Sequence, residues 1–168
     1  MDLELKTVYL LLGSNLGDRE ALIRHAITKI GAEIGSVVST SSLYETAAWG
    51  NEDQPSFLNI AAGIKTTKSP AEVLENTLRI EEELGRVRHE KWGARLIDID
   101  IILYGEEVIA DGEKLQIPHP RMQDRRFVLE PLAEIAGNVE HPLLHQNIST
   151  ILSLLKDNLE SQKYYNLY

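Results

Sequence analysis

Cysteine is absent from the 168 residues, which excludes disulfides, thiolate-bound zinc, iron–sulfur clusters and a thiol nucleophile. Aromatic residues are scarce, at 6%, with two phenylalanines and two tryptophans, so a stacking site must be built from few rings. No apolar run approaches the roughly 20 residues of a bilayer-spanning helix. The opening Met-Asp-Leu-Glu-Leu-Lys lacks the basic end and apolar stretch of a secretory signal. Positive charge is short as well: 17 Lys and Arg stand against 26 Asp and Glu, a formal −9. That balance argues against nucleic acid or an anionic membrane as partner. What is present is a globular composition, 43% hydrophobic and 26% charged, in a length that suits one domain over residues 1–168, with a surface tail from about 157. A cytoplasmic protein is the expectation.

Periodicity supplies the elements. Val8 to Leu12 reads as a buried strand entering the turn Gly13-Ser14-Asn15. From Asp18, apolar residues at 22, 23, 26, 27, 30 and 34 make one helical stripe, with Gly31 and Gly35 marking its end. Ser36–Tyr44 and Phe57–Thr66 are strand-like, and the long connection between them, 47–56, has the length of a functional loop. Ser69-Pro70-Ala71-Glu72 carries a capping Ser, a first-turn Pro and a Glu three residues after the cap, so a helix starts there, and Gly85 supplies its stop. Arg95–Tyr104 alternates as a strand, a short strand follows around Val108-Ile109, and helices are expected near 127–135 and 148–155. The order β-α-β-β-α-β with further C-terminal elements predicts an α+β, ferredoxin-like sandwich with an extra C-terminal strand and helices.

The most informative stretch is Leu96-Ile97-Asp98-Ile99-Asp100-Ile101. On a strand, residues two apart share a face, so Asp98 and Asp100 stand side by side while the isoleucines enter the opposite face. The pair is either a solvated edge or two carboxylates held apart by a divalent cation, and oxygen-only ligands suit Mg²⁺. Upstream, residues 86–95 hold four Lys or Arg against one Glu, and residues 114–126 hold four against one Asp. These two stretches carry a net +6, against −15 for the rest of the chain. Read singly they are solvated basic loops; read with the Asp pair they request a nucleotide polyphosphate. The turn at 13–18 lacks the Gly-Lys-Ser/Thr ending of a P-loop and has too few glycines for a dinucleotide fingerprint. Phe57 and Phe127, each beside polar residues, are either core or two faces for a planar heterocycle whose edge an Asn amide can bind. His119 is either a turn cap or a phosphate contact.

Four pieces in order carry a resemblance: Leu12-Gly13-Ser14-Asn15-Leu16-Gly17; Asp53-Gln54-Pro55 with Phe57-Leu58-Asn59; Gly85-Arg86 with Trp92-Gly93-Ala94-Arg95-Leu96-Ile97-Asp98-Ile99-Asp100; and Ile117-Pro118-His119-Pro120. Over residues 7–136 the chain resembles 6-hydroxymethyl-7,8-dihydropterin pyrophosphokinase. The resemblance implies a folate-pathway transferase that moves pyrophosphate from ATP to the pterin hydroxymethyl group and leaves AMP. It further implies that Asp98 and Asp100 bind two Mg²⁺ ions along the triphosphate, placing the pterin hydroxyl for attack and lowering its pKa. Arg86 and Arg95 would engage phosphate charge, with Trp92 packing beside them, and His119 and Lys114 would contact the nucleotide. Phe57 and Phe127 would sandwich the pterin, Asn59 and the backbone near Thr46 and Trp49 would bind its edge, Arg125 would lie beside it, and Glu81 would sit near the site. Phe57 stands where many members carry Tyr, which keeps the ring face without the hydroxyl.

A ferredoxin-like RNA-binding module is the competing class. It requires an aromatic run on adjacent strands and a basic sheet face, and the sequence has neither. The expected partners are therefore ATP and the pterin, with no nucleic acid and no membrane.

Overall fold

Strand β1 (Lys6–Ser14) is apolar on both faces because it is covered on both. The computed structural model describes residues 4–15, 17–46, 56–88, 96–156 and 161–165, with backbone alone for 86–88 and 161–165. After β1 come α1 (Arg19–Glu33), β2 (Ser36–Thr40), β3 (Leu43–Thr46), β4 (Phe57–Thr66), α2 (Pro70–Arg88) and β5 (Asp98–Tyr104). A two-stranded ribbon, β6 (Ile109–Asp111) and β7 (Leu115–Ile117), follows, then a 3-10 turn at Met122–Asp124, α3 (Arg126–Ala136), α4 (Ile148–Leu154) and β8 (Ser161–Tyr165).

The main sheet is antiparallel in the order β5-β1-β4-β3-β8, and β2 also pairs with β4, beyond the end of β3. Taking β2 and β3 as one interrupted strand, this is the expected ferredoxin-like order. The interruption is Ser41-Ser42, where the ladder continues through Ser41 N donating to Ala61 O (2.9 Å) and Ala61 N donating to Ser41 Oγ (2.9 Å). Sequence alone read this stretch as a single strand.

Alternation divides the strand residues between two cores. Leu10, Leu12, Ile60, Ile64, Ile99 and Ile101 meet the apolar stripes of α1 (Leu22, Ile23, Ala26, Ile27, Ile30) and α2 (Val73, Ile80, Leu84). Leu11, Ala61 and Ile102 face the other way and are covered by Val128, Leu129 and Leu132 of α3 and Ile148 and Ile151 of α4.

The helix starts match their signals. Asp18 Oδ1 accepts from Ala21 N (3.1 Å), and Ser69 and Glu72 exchange reciprocal bonds of 3.2 and 3.0 Å, a capping box. Two of the expected stops do not act: Gly31 lies within α1 and Gly85 within α2, which continues to Arg88. A glycine inside a helix costs about 1 kcal/mol, an amount that buried packing outweighs. Gly35 does end the α1 segment, for a Cβ there would lie 2.2 Å from Lys65 O. The tail expected from about 157 is corrected by β8, which hydrogen-bonds along the otherwise open edge of β3, where unpaired N–H and C=O groups offer a template. No helix among the described residues is long and apolar enough to cross a membrane.

Candidate active site

The sheet register builds a row of side chains on the α3/α4 face. Gly13 pairs with Asp98 on one side and Asn59 on the other, and Asn59 pairs with Tyr44. Residues opposite one another in a ladder point to the same face. Asp98, Gly13, Asn59 and Tyr44 therefore lie in line across four strands. Asp100, Leu11 and Ala61 form the next row toward the core, and the pair Thr46–Phe57 forms the next row outward. A Cβ on Gly13 would lie 2.7 Å from Asn59 Oδ1, so the missing side chain is the space that the Asn59 amide occupies.

Two polar atoms on these rows are buried without a partner. Asn59 and Thr46 are each 4% exposed, and Asn59 Nδ2 and Thr46 Oγ1 have no hydrogen bond. Such an atom costs about 1–3 kcal/mol, and this concentration of cost at one end of one sheet face is the mark of a ligand's donor and acceptor positions. Tyr44, by contrast, is satisfied: its hydroxyl donates to Glu134 Oε1 (2.7 Å), and Glu134 Oε2 accepts from Ser42 N and Oγ (2.8 and 3.1 Å). Burial, then the Glu134 carboxylate, push the Tyr44 phenol far above its ordinary pKa. Phe57 reaches this face from β4, and Phe127 reaches it from the first turn of α3, half-buried against the second core. The Arg125 guanidinium lies 5.6 Å from the centre of the Phe127 ring, a cation–π distance.

Beside these rows a cavity of about 360 Å³ opens along the outer edge of β5, between α2 and the β6–β7 ribbon. Leu74, Leu78, Ile101 and Leu115 give it apolar walls, and Glu81, Asp100, Lys114 and His119 supply charge and hydrogen-bonding groups. As the edge strand of the sheet, β5 has outward N–H and C=O groups that need partners. Glu81 Oε2 accepts from Ile99 N (2.6 Å), the amide between the two aspartates, and His119 N donates to Ile102 O (3.0 Å). Ser14 Oγ donates to Leu96 O (2.7 Å), two residues ahead of Asp98. The strand that carries the carboxylates is thus tied at three points outside its own ladder.

His119 follows the cis Ile117–Pro118 bond and is held in one tautomer. Its Nδ1 accepts from Arg121 N (3.3 Å), so a neutral ring carries its proton on Nε2. Burial pushes its pKa below the ordinary value, Asp100 opposes that shift, and Arg125 and Arg121 reinforce it. At neutral pH the ring is an uncharged donor.

Of the residues singled out in the sequence, Glu81, Asp100, Lys114 and His119 line one cavity, and Asp98, Asn59, Thr46 and Phe57 occupy the adjoining rows, with Phe127 and Arg125 on the α3 side. Arg86 lies in the last turn of α2, and its side chain, like Trp49, Trp92 and Arg95 entirely, falls outside the described residues. Sequence reasoning missed the Gly13–Asn59 contact, which no spacing rule reveals. Leu78 of α2 is 49% exposed and walls the cavity.

Residues 9–137 match the family model of 7,8-dihydro-6-hydroxymethylpterin-pyrophosphokinase. The chain belongs to that family. The pyrophosphokinase of Bacillus subtilis is 50% identical over 133 residues, covering 79% of each chain, and that of Aquifex aeolicus is 47% identical over 137 residues, covering 82% of this chain and 84% of its own. Among solved structures, a Plasmodium falciparum HPPK-DHPS chain superposes with a TM-score of 0.73 at 17% identity, over 90% of this chain and 46% of the other. That likeness shows the fold, and this chain spans less than half the length of the Plasmodium chain.

Proposed function

We propose that the chain transfers the pyrophosphoryl group of ATP to the hydroxymethyl group of 6-hydroxymethyl-7,8-dihydropterin, releasing AMP, as a step of folate biosynthesis. The observation that carries the assignment of residues is the juxtaposition of unsatisfied Asn59 and Thr46 with a half-apolar, half-charged cavity across the Asp98–Asp100 strand. The pterin lies on the sheet rows: Asn59 Nδ2 donates to its edge, Thr46 Oγ1 and Trp49 complete that edge, and Phe57 and Phe127 take its faces. The nucleotide lies in the cavity, its base against Leu74, Leu78 and Leu115 and its phosphates toward Lys114, His119 and the basic stretch that includes Arg86, Trp92 and Arg95.

Asp98 and Asp100 fit Mg²⁺. Both project from one face at the start of β5 and both are oxygen donors. That donor set suits a cation that draws the rest of its shell from water and phosphate. When bound, Mg²⁺ supplies neutralisation of phosphate charge and a lowered pKa for the attacking hydroxyl. The remaining work belongs to the chain. Glu81 holds Ile99 and so the spacing of the two carboxylates. His119 donates from Nε2 to phosphate oxygen without adding a full charge, and Lys114 and the arginines carry the charge that shifts during transfer. The pterin oxygen forms a bond to the β-phosphorus as the bond from that phosphorus to the α,β-bridging oxygen breaks, with the hydroxyl proton passing to solvent. Residues 1–168 act as a single domain in this reading, and the cytoplasm is its setting.

The test is the identity of the products. Incubation with Mg·ATP and the hydroxymethyl dihydropterin is expected to yield AMP and a pterin diphosphate, separated by ion-exchange chromatography; ADP with a pterin monophosphate would overturn the assignment.

A further inference from the structure

We propose that Arg19 is a positioning residue for the pterin pocket, acting through the sheet from the opposite face; this rests on the pterin reading above. Arg19 is the first residue of α1, immediately after the Asp18 cap. A cation at a helix N-terminus opposes the helix dipole, so helix stability does not account for it. Its bonds lie elsewhere. Arg19 Nη1 donates to Ser56 O (2.7 Å) and Ser56 Oγ (3.1 Å) and lies 3.4 Å from Glu45 Oε2.

The two residues it reaches each sit one position from a pocket residue. Ser56 precedes Phe57 and Glu45 precedes Thr46, and Thr46–Phe57 is the terminal cross-strand pair of β3 and β4. By strand alternation, Glu45 points toward α1 and Thr46 toward the pocket. One guanidinium therefore bridges the ends of β3 and β4 on the α1 side, while the pair it holds together faces the ligand on the other. An ion pair of this exposure (24% for Arg19 and 34% for Glu45) contributes little by itself. The bond to the Ser56 carbonyl is the one that fixes backbone, because it sets the start of β4 and hence the Phe57 ring and the Thr46 hydroxyl.

Four variants of the full chain, R19Q, R19K, S56A and F57A, test the assignment. Pterin affinity is read by fluorescence quenching of 6-hydroxymethylpterin in the presence of a non-hydrolysable ATP analogue, nucleotide affinity by calorimetry, and folding by thermal melting. R19Q is expected to weaken pterin binding about five- to tenfold, the scale of one net hydrogen bond, with nucleotide affinity held within about twofold. R19K, which keeps the charge and a donor, is expected to restore part of the loss, and S56A, which keeps the carbonyl, to cost about twofold. F57A reports on the pocket independently. If F57A weakens pterin binding while R19Q does not, the Arg19 assignment is overturned and the pocket stands. Equal weakening of pterin and nucleotide in R19Q, or a lowered melting temperature with both affinities intact, makes Arg19 a stability residue and also overturns it. Unchanged pterin affinity in F57A would remove the pocket reading and with it the route by which Arg19 acts.

Discussion

The two faces of the main sheet use the same strands for opposite ends. On the α1/α2 face, Leu10, Leu12, Ile60 and Ile64 are fully buried, and each contributes about 1.5–3 kcal/mol of burial. The α3/α4 face begins in the same way, with Leu11, Ala61 and Ile102 under helices, but the same three strands then present Gly13, Asn59 and Asp98 in one row. There the chain leaves polar atoms without partners, at a cost of the same order as one buried aliphatic side chain. The closed face supplies the stability that lets the open face remain unsatisfied until a ligand arrives. Along β1 and β4, residue parity should therefore decide whether a substitution harms the fold or the chemistry.

The strongest way to break that division is at Asp98 or Asp100. Asn at either position is expected to lower turnover by about a hundredfold to a thousandfold, measured as AMP release, with little change in melting temperature. A parallel loss of folding would mean that the strand end is structural. The mirror experiment is Ile60→Ala on the closed face, expected to cost about 3 kcal/mol in urea unfolding while kcat per folded molecule stays near the parent value. If activity falls with it, the faces are coupled more tightly than parity implies.

Finer substitutions sharpen the boundary. Gly13→Ala places a Cβ against Asn59 Oδ1, so the amide must turn away; pterin affinity should fall about tenfold and nucleotide affinity should hold. Thr46→Val removes a buried hydroxyl that has no partner. It should raise unfolding stability by about 1 kcal/mol and weaken pterin binding, a trade between stability and function at one atom.

The smallest effect concerns pH. His141, between α3 and α4, is 2% exposed, its Nδ1 accepts from Leu143 N and Leu144 N (3.1 Å each), and its Nε2 has no partner. Burial holds its pKa below the ordinary value, and the nearby His145 adds to the shift. The unfolded chain takes up a proton at the ordinary value while the folded chain resists it. The contribution is thus complete above that value and is lost as pH falls toward the depressed folded pKa. Chemical unfolding at about pH 7.5 and pH 5.5, either side of the ordinary histidine value, should show a drop that His141→Asn reduces.

Much of this molecule was legible before its fold. The caps at Asp18 and Ser69 depend on contacts three residues apart, and the split of Asp98 and Asp100 from their isoleucines depends on the two-residue period of a strand, so local chemistry was enough for both. The acidic body and two basic stretches were likewise a matter of counting. Helix ends were harder, because a glycine marks only a small local preference: Gly85 yielded to the packing of α2. The tail at 161–165 became a strand because β3 had an edge to offer, a partner more than a hundred residues away. Most of all, the pocket required register. Gly13, Asn59, Tyr44 and Asp98 sit on four strands, and nothing in their spacing sets them in one row. Residue type alone marked the side chains with the chemistry to bind a phosphate, a metal or a ring. Which of them share a face was left to the fold, since that depends on hydrogen-bond pairing between strands distant in the chain, where a slip of one residue would turn every side chain to the other side.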